Sequence, residues 1–198
     1  VEGAVAPGPA IGVDWHYLAD GGVWKLLGQS TATSPGTAPF ADSTNAFTRD
    51  GMVTIRVPAD WSWQDQASRR GRWLRARITS GTWTRPPVIG SLLFRWQWDK
   101  PAIEDIQVTL GPAGGIPGAA VANPPELGFA NTVPLDLGRD VLPFGSQPAY
   151  NDAFHLACEP ALAQPGATVE VAVTLTNPGA APLTVSGLAV TGAGFAWR

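Results

Sequence analysis

Apolar and polar residues alternate in short runs along most of this chain, each run bounded by turn-forming residues, and that spacing predicts an all-β fold. VDWHYL at 13–18 and VWKLL at 23–27 flank Ala19-Asp20-Gly21-Gly22, whose Asp-Gly and Gly-Gly steps supply the positive φ of a tight hairpin turn. A polar stretch from Gln29 to Ser43, rich in Ser, Thr, Pro and Gly, reads as a long exposed loop. In FTRDGMVTIRVPADW at 47–61, Arg49-Asp50-Gly51 makes a turn. Val53, Ile55 and Val57 then point one way and Thr54 and Arg56 the other, the pattern of a half-buried antiparallel strand. Pro58 ends that strand, because proline removes the next ladder donor. Residues 62–71 carry no strong period and read as a loop. In WLRARITSG at 73–81, Leu74, Ala76 and Ile78 take one face and Trp73, Arg75 and Arg77 the other, so both arginines sit on the solvent or partner side. After Pro86-Pro87, Leu92, Phe94, Trp96 and Trp98 share a face, with Leu93, Arg95 and Gln97 opposite.

Lys100-Pro101 then reads as a boundary. Beyond it, Ile106, Val108 and Leu110 predict an inward-facing strand face, and residues 112–125 are so rich in Gly, Pro and Ala that they read as loop or extended connection. Short segments follow around Phe129 and Leu135 and over 142–157. The clearest alternation is at the end. Val169, Val171, Val173 and Leu175 oppose Glu170, Ala172, Thr174 and Thr176, an Asn-Pro-Gly turn occupies 177–179, and a further strand is predicted from Leu183 to Val190. This strand, turn and strand style is typical of immunoglobulin-like sandwiches. The expected architecture is therefore two consecutive antiparallel β-sandwich domains. Residues 1–12 are expected to form a Gly/Pro/Ala linker, 13–99 a Trp-rich, jelly-roll-like sandwich, and 100–198 an immunoglobulin-like sandwich that is incomplete or continues into a further repeat.

Composition sharpens this picture. Gly 23 and Pro 19 together make about a fifth of the 198 residues, which disfavours long helices. Charged residues are only 15%, and the hydrophobic fraction of 44% provides for a substantial buried core. The formal charge is −3, with eleven of the thirteen basic residues Arg, so no basic field invites nucleic acid. The apolar stretches are broken well short of the ~20 residues a spanning helix needs, and no basic-then-apolar start marks a signal peptide. A lone Cys158 can close no disulfide within the chain and can build no cysteine-based metal site.

The residues point away from catalysis. His16 and His155 each lie in a strand-like run without a second His at ligand spacing, and no HExxH, GxSxG, GxGxxG or P-loop pattern occurs. GPAGG at 111–115 lacks the following helix that a phosphate site needs. Glu104 and Asp105 are adjacent and would face opposite ways on a strand, while Asp60, Asp65, Asp136, Asp140 and Asp152 read as loop and turn acids rather than a catalytic pair. No dense Asp/Asn cluster singles out a calcium site, and Cys158 reads as a small buried strand-end residue. No catalytic residue, cofactor or metal site is therefore expected.

The tryptophans are the least ordinary feature: eight of the nine fall between Trp15 and Trp98. Trp15, Trp24, Trp96 and Trp98 are expected to fill a sandwich core. Trp61, Trp63, Trp73 and Trp83, with Arg75 and Arg77, are the candidates for an exposed interaction surface of the kind enriched in Trp and Arg.

Several strings taken together add a resemblance. VDWHYLADGGVWKLL, FTRDGMVTIRVPADW and RWLRARITSGTWTRPPVI, in that order and spacing, resemble a module of baseplate assembly proteins from phage-tail-like contractile injection systems. The family pattern is a W-x-Y-W-x-G-x-x-W-x-x-L hairpin, an F-T-x-S-G-x-V strand ending in P-x-D-W, and a Y-W-L-R-A-R strand. The segment VLPFGSQPAYNDAFHLACEPALAQPGATVEVAVTLT is similar to the family's P-F-G-x-x-P…D-x-F-Y-L segment. The strings cover most of residues 13–176. Leu18 stands where the family usually has Trp, Arg72 where it usually has Tyr, and the loop at 29–43 is longer than usual. GFAWR at 194–198 echoes GVDWH at 12–16, so the chain is read as a portion of a larger, repeating protein.

The resemblance implies a non-enzymatic structural part in a baseplate assembled in the cytoplasm. The partners it implies are other baseplate, sheath or tube subunits, without nucleic acid or membrane insertion. Two alternatives rest on the residues. One is a carbohydrate-binding or host-adhesion module acting on surface glycans through its tryptophans. The other is an accessory domain of a secreted hydrolase.

Overall fold

A computed structural model gives the fold of residues 11–97, 121–163 and 165–176. The strands in chain order are β1 (Gly12–Ala19), β2 (Val23–Thr31), β3 (Ala41–Asp42), β4 (Gly51–Arg56), β5 (Gln64–Gln66), β6 (Arg69–Gly71) and β7 (Trp73–Ser80). They continue as β8 (Ile89–Gln97), β9 (Val121–Asn123), β10 (Leu127–Ala130), β11 (Val133–Pro134), β12 (Ala153–Ala157) and β13 (Thr168–Leu175), with one helical turn, α1 (Glu159–Leu162), before the last. The chain is all-β, as its alternation predicts.

A six-stranded sheet has the order β11-β10-β12-β7-β1-β2, and a five-stranded sheet the order β3-β4-β13-β8-β9. Every pairing within them is antiparallel. The two sheets share one core. Val13, Trp15 and Tyr17 of β1 and Leu74, Ala76 and Ile78 of β7 belong to the same buried cluster as Val53 and Ile55 of β4, Phe94 of β8 and Val169, Val171 and Val173 of β13. The alternation in 47–57, 73–81 and 168–176 thus predicts the inward faces correctly.

The expected division at Lys100-Pro101 into two sandwiches is corrected. β12 lies beside β7 in the six-stranded sheet, and β13 fills the centre of the five-stranded sheet between β4 and β8. The described residues on both sides of 100 therefore close one sandwich. The physical reason is that 73–81 and 89–97 each leave a ladder of backbone donors and acceptors that needs a neighbour, and β12 and β13, both from the second half, supply it. The strand expected at 106–111, the Asn-Pro-Gly turn, the strand at 183–190 and the echo at 194–198 all lie outside the described residues.

Four local readings also change. The expected 1–12 linker loses its end, because Ile11 is buried and Gly12 opens β1. The long loop at 29–43 is not wholly exposed: β2 runs to Thr31, and Ser30, Phe40 and Asp42 are buried. Phe40 folds so closely onto β2 that a Cβ on Gly28 would lie 2.2 Å from its ring. Residues 62–71 contain the β5–β6 hairpin, whose turn residues Ala67 and Ser68 have φ of 48° and 61°. Such a turn is usually announced by Asn-Gly or Gly-Gly, so Ala-Ser concealed it. Finally, β9 lies within the stretch read as connection at 112–125.

Candidate functional site

The β5–β6 hairpin matters because it lies over the outer face of the six-stranded sheet. Trp73 points outward from β7, as alternation requires, yet it is fully buried in a second small cluster with Leu18, Phe129 and Ala157, against which Trp24, Ala67 and Leu127 pack. Its indole N–H donates to the Gln64 carbonyl of the hairpin at 3.0 Å. One face of the sheet thus carries its own second layer.

Beside this cluster a polar row crosses three strands. His16 of β1 is in register with Arg75 of β7, and Arg75 with His155 of β12. Trp24 lies over the row: the Arg75 guanidinium carbon is 4.1 Å from its ring centroid, and the His155 ring is 5.5 Å away. Gln66 reaches to 3.5 Å from His155 Nε2. The adjoining rung holds Asp14 and Arg77, 3.7 Å apart, with Asp14 also accepting from Gln29 at 2.7 Å and Thr79 at 3.3 Å.

The row is electrostatically unusual. His16 and His155 are 7% and 5% exposed, and among the described residues neither Nδ1 has a hydrogen-bond partner, nor have the buried Nε atoms of Arg75 and Arg77. Burial, then the charges of Arg75 and Arg77, push the His16 imidazole down to about 4 despite the opposing charge of Asp14. Burial and Arg75 push His155 down to about 4. Burial and Arg77 lower Arg75 to about 10, so it stays charged at neutral pH between two neutral imidazoles. Chemically this is a fixed cationic row with donors to spare, suited to meeting an anion.

The six residues expected to form an exposed Trp/Arg surface are not all brought there. Trp61, Trp73 and Trp83 are buried, and only Trp63, 42% exposed, lies open. Trp61 tilts against Tyr17 at 5.3 Å, and Trp83 stacks on Phe144 at 5.1 Å while donating to the Ala46 carbonyl. Loop tryptophans return to the core because an indole buries much apolar area; the Trp83 N–H has an acceptor there, while the buried Trp61 Nε1 has none among the described residues. Trp63 instead lies near Arg72, whose guanidinium pairs with Glu159. Of the expected core rings, Trp15 is buried, Trp96 is partly buried against the core and Trp24 lies on the outer face; Trp98 lies outside the described residues. Arg75 and Arg77 do face outward.

The remaining candidates are dispersed. Asp60 accepts from Tyr17 and Lys25, and Asp152 caps Ala149 and holds Asn131. Asp136 and Asp140 line an open depression of about 480 Å3 at the β10–β11 edge, where Arg139 pairs with Asp136 at 3.1 Å. Cys158 is buried in the main core, away from the outward-facing His155. Among the described residues no three His, Cys, Asp or Glu side chains gather as metal ligands would, and no helix is long and apolar enough to cross a membrane. Compared with known proteins, the chain matches no family model, no curated protein and no solved structure.

Local pattern does not mark His16, His155 and Trp24 as site residues, because it places each as an ordinary strand or core residue. The outward parity of Arg75 and Arg77 was the signal available. His16 shares that parity once β1 and β7 are paired.

Proposed function

We propose that this chain is a non-enzymatic structural and interaction module of a baseplate protein in a phage-tail-like contractile injection particle. The ordered strings between residues 13 and 176 supply the setting. The observation that carries the interaction role is the outer face of the six-stranded sheet, where the ladder holds His16, Arg75 and His155 in register, Arg77 stands two positions along the same strand as Arg75, and Trp24 covers the Arg75 guanidinium. A rigid sheet face with charge fixed in place suits a subunit contact, because little side-chain entropy is left to lose on docking. Assembly in the cytoplasm and contact with other baseplate, sheath or tube subunits follow from this reading.

The test is particle assembly. A tagged chain expressed in its native host should co-purify with sheath and tube, and its coding region should neighbour those for sheath, tube, spike and ATPase. Normal particles formed after deletion of that coding region would overturn the proposal. The sugar-binding alternative needs at least two exposed, roughly coplanar rings, and three of the four tryptophans nominated for it are buried.

A further inference from the structure

We infer that the outer face at Arg75 and Arg77 is a docking site for an extended acidic segment of a partner protein that carries carboxylates at alternate positions. The inference rests on the reading of this chain as an interaction module and names the chemistry of the partner.

Charge is the first argument. The chain is acidic overall, yet Arg69, Arg70, Arg72, Arg75 and Arg77, five of its thirteen basic residues, fall within nine positions on β6, β7 and the residue joining them. Their internal carboxylates are unevenly shared. Arg72 pairs with Glu159, and Arg70 stands opposite Asp65 in the hairpin. Arg77 has Asp14 Oδ2 only at 3.7 Å, while Gln29 and Thr79 hold the other oxygen of that carboxylate. Arg75 has an indole face in place of a carboxylate and no ion pair among the described residues. A cation kept charged and partly buried, with the Asp14 charge acting on it but no ion pair formed among the described residues, costs free energy that an incoming carboxylate would recover.

Geometry is the second. Arg75 and Arg77 are two residues apart on one strand and face the same way, which sets their stems about 7 Å apart. Alternate side chains of an extended peptide have the same spacing, so a Glu-x-Glu segment laid along β7 would offer one carboxylate to each guanidinium. His16, opposite Arg75 and within the field of both arginines, is neutral and nine-tenths buried, with no partner for Nδ1 among the described residues. It adds hydrogen-bonding capacity without a third charge. Trp24 shields the row from water on one side, which strengthens a charge pair formed there.

The test is a fluorescence anisotropy titration of the whole 198-residue chain with a labelled octapeptide of alternating Glu and Thr. Saturable binding is expected, weakening with salt and lost in the matching Gln-Thr peptide. A blocked peptide of the same composition, Glu-Glu-Thr-Thr-Glu-Glu-Thr-Thr, in which no two Glu stand two positions apart, should bind at least several-fold more weakly. Arg75→Gln and, at the more exposed neighbour, Arg77→Gln should each weaken binding tenfold or more. Arg56→Gln, on the outer side of the five-stranded sheet, should change it less than twofold. No binding of the Glu-Thr peptide to the folded chain, equal binding of the blocked peptide, equal loss in Arg56→Gln, or displacement by equimolar inorganic phosphate would each overturn the inference. The assay uses the isolated chain, so its failure leaves co-purification with particles to stand or fall separately.

Discussion

The Trp24 ring covers the Arg75 guanidinium at 4.1 Å, although two ladder steps separate β2 from β7. The indole reaches across β1 to a cation on the next strand and covers the row on one side, and the same ring lies against His155. Trp24→Ala should remove a cation–π contact worth roughly 1–2 kcal/mol when shielded from water. It should also admit water to the row. Side-chain NMR titration should then show His155 rising from about 4 back toward 6.5, because burial is the largest cause of its depression. An unchanged His155 in a folded variant would show that Trp24 is not the cover.

The two imidazoles make stability depend on pH in a defined window. In the fold both titrate near 4, against an ordinary 6.5, so between those values the unfolded chain binds more protons. Their contribution is whole above about pH 6.5 and is lost progressively as the pH falls to about 4. Each can account for up to about 3 kcal/mol at 1.36 kcal/mol per pH unit, and less jointly since Arg75 faces both. Asp14, Arg77, Gln66 and Trp24 complete the groups around them. Urea midpoints should therefore drop between pH 7 and 4.5, and His16→Gln with His155→Gln should flatten that slope.

How far the chain can be read without its structure depends on which force decides each position. Alternation places Val53, Ile55, Leu74, Ile78, Val169 and Val171 inward, because a strand with one wet face has a single way to bury its apolar side. Trp73 defeats the same logic. Its outward parity is correct, but a hairpin turning at Ala67-Ser68 with positive φ lays a second layer on top of it. The site is legible only in part for a related reason. Arg75 and Arg77 reveal a charged face, while His16, His155 and Trp24 join it through pairings between strands tens of residues apart, which no local pattern encodes.

Asp42 should be among the costliest polar residues to replace. Its buried carboxylate accepts from Ser30 Oγ at 2.6 Å, Thr44 N at 2.9 Å, Thr44 Oγ1 at 2.5 Å, and Trp15 Nε1 and Ala46 N at 3.3 Å. These bonds pin a turn in which Asn45, Ala46 and Phe47 hold φ of 50°, 55° and 58°, a region that side-chain-bearing residues disfavour. Asp42→Ala would leave several buried donors unpaired at roughly 1–3 kcal/mol each. A loss of about 3 kcal/mol or more is expected in denaturant unfolding. Weakened near-UV circular dichroism should accompany it as Phe47 leaves its stack on Trp15, 5.5 Å away.

Cys158 should be inert while the chain is folded. It is fully buried, and burial, with the nearby charges of Glu126 and Glu159, pushes its thiol up to about 11. Thiolate is the reactive form, so iodoacetamide at pH 8 should leave it unmodified in buffer and alkylate it in strong urea. Rapid labelling of the native chain would mean that α1 opens readily.

The interleaved sheets make the sharpest prediction about architecture. If residues 13–99 were a domain, they would fold alone. In the structure β13 separates β4 from β8 in the five-stranded sheet, and β12 flanks β7 in the other. A fragment of residues 11–99 would lack Val169, Val171 and Val173 from the core and Phe154 and Leu156 beside Leu74 and Ala76. It would expose the backbone ladders of β4, β7 and β8, edges prone to pair with other chains. It should therefore show no cooperative thermal transition and should aggregate. Adding a fragment of residues 121–176 during refolding should restore a soluble complex with a single transition. Cooperative unfolding of the 11–99 fragment by itself would refute the shared core.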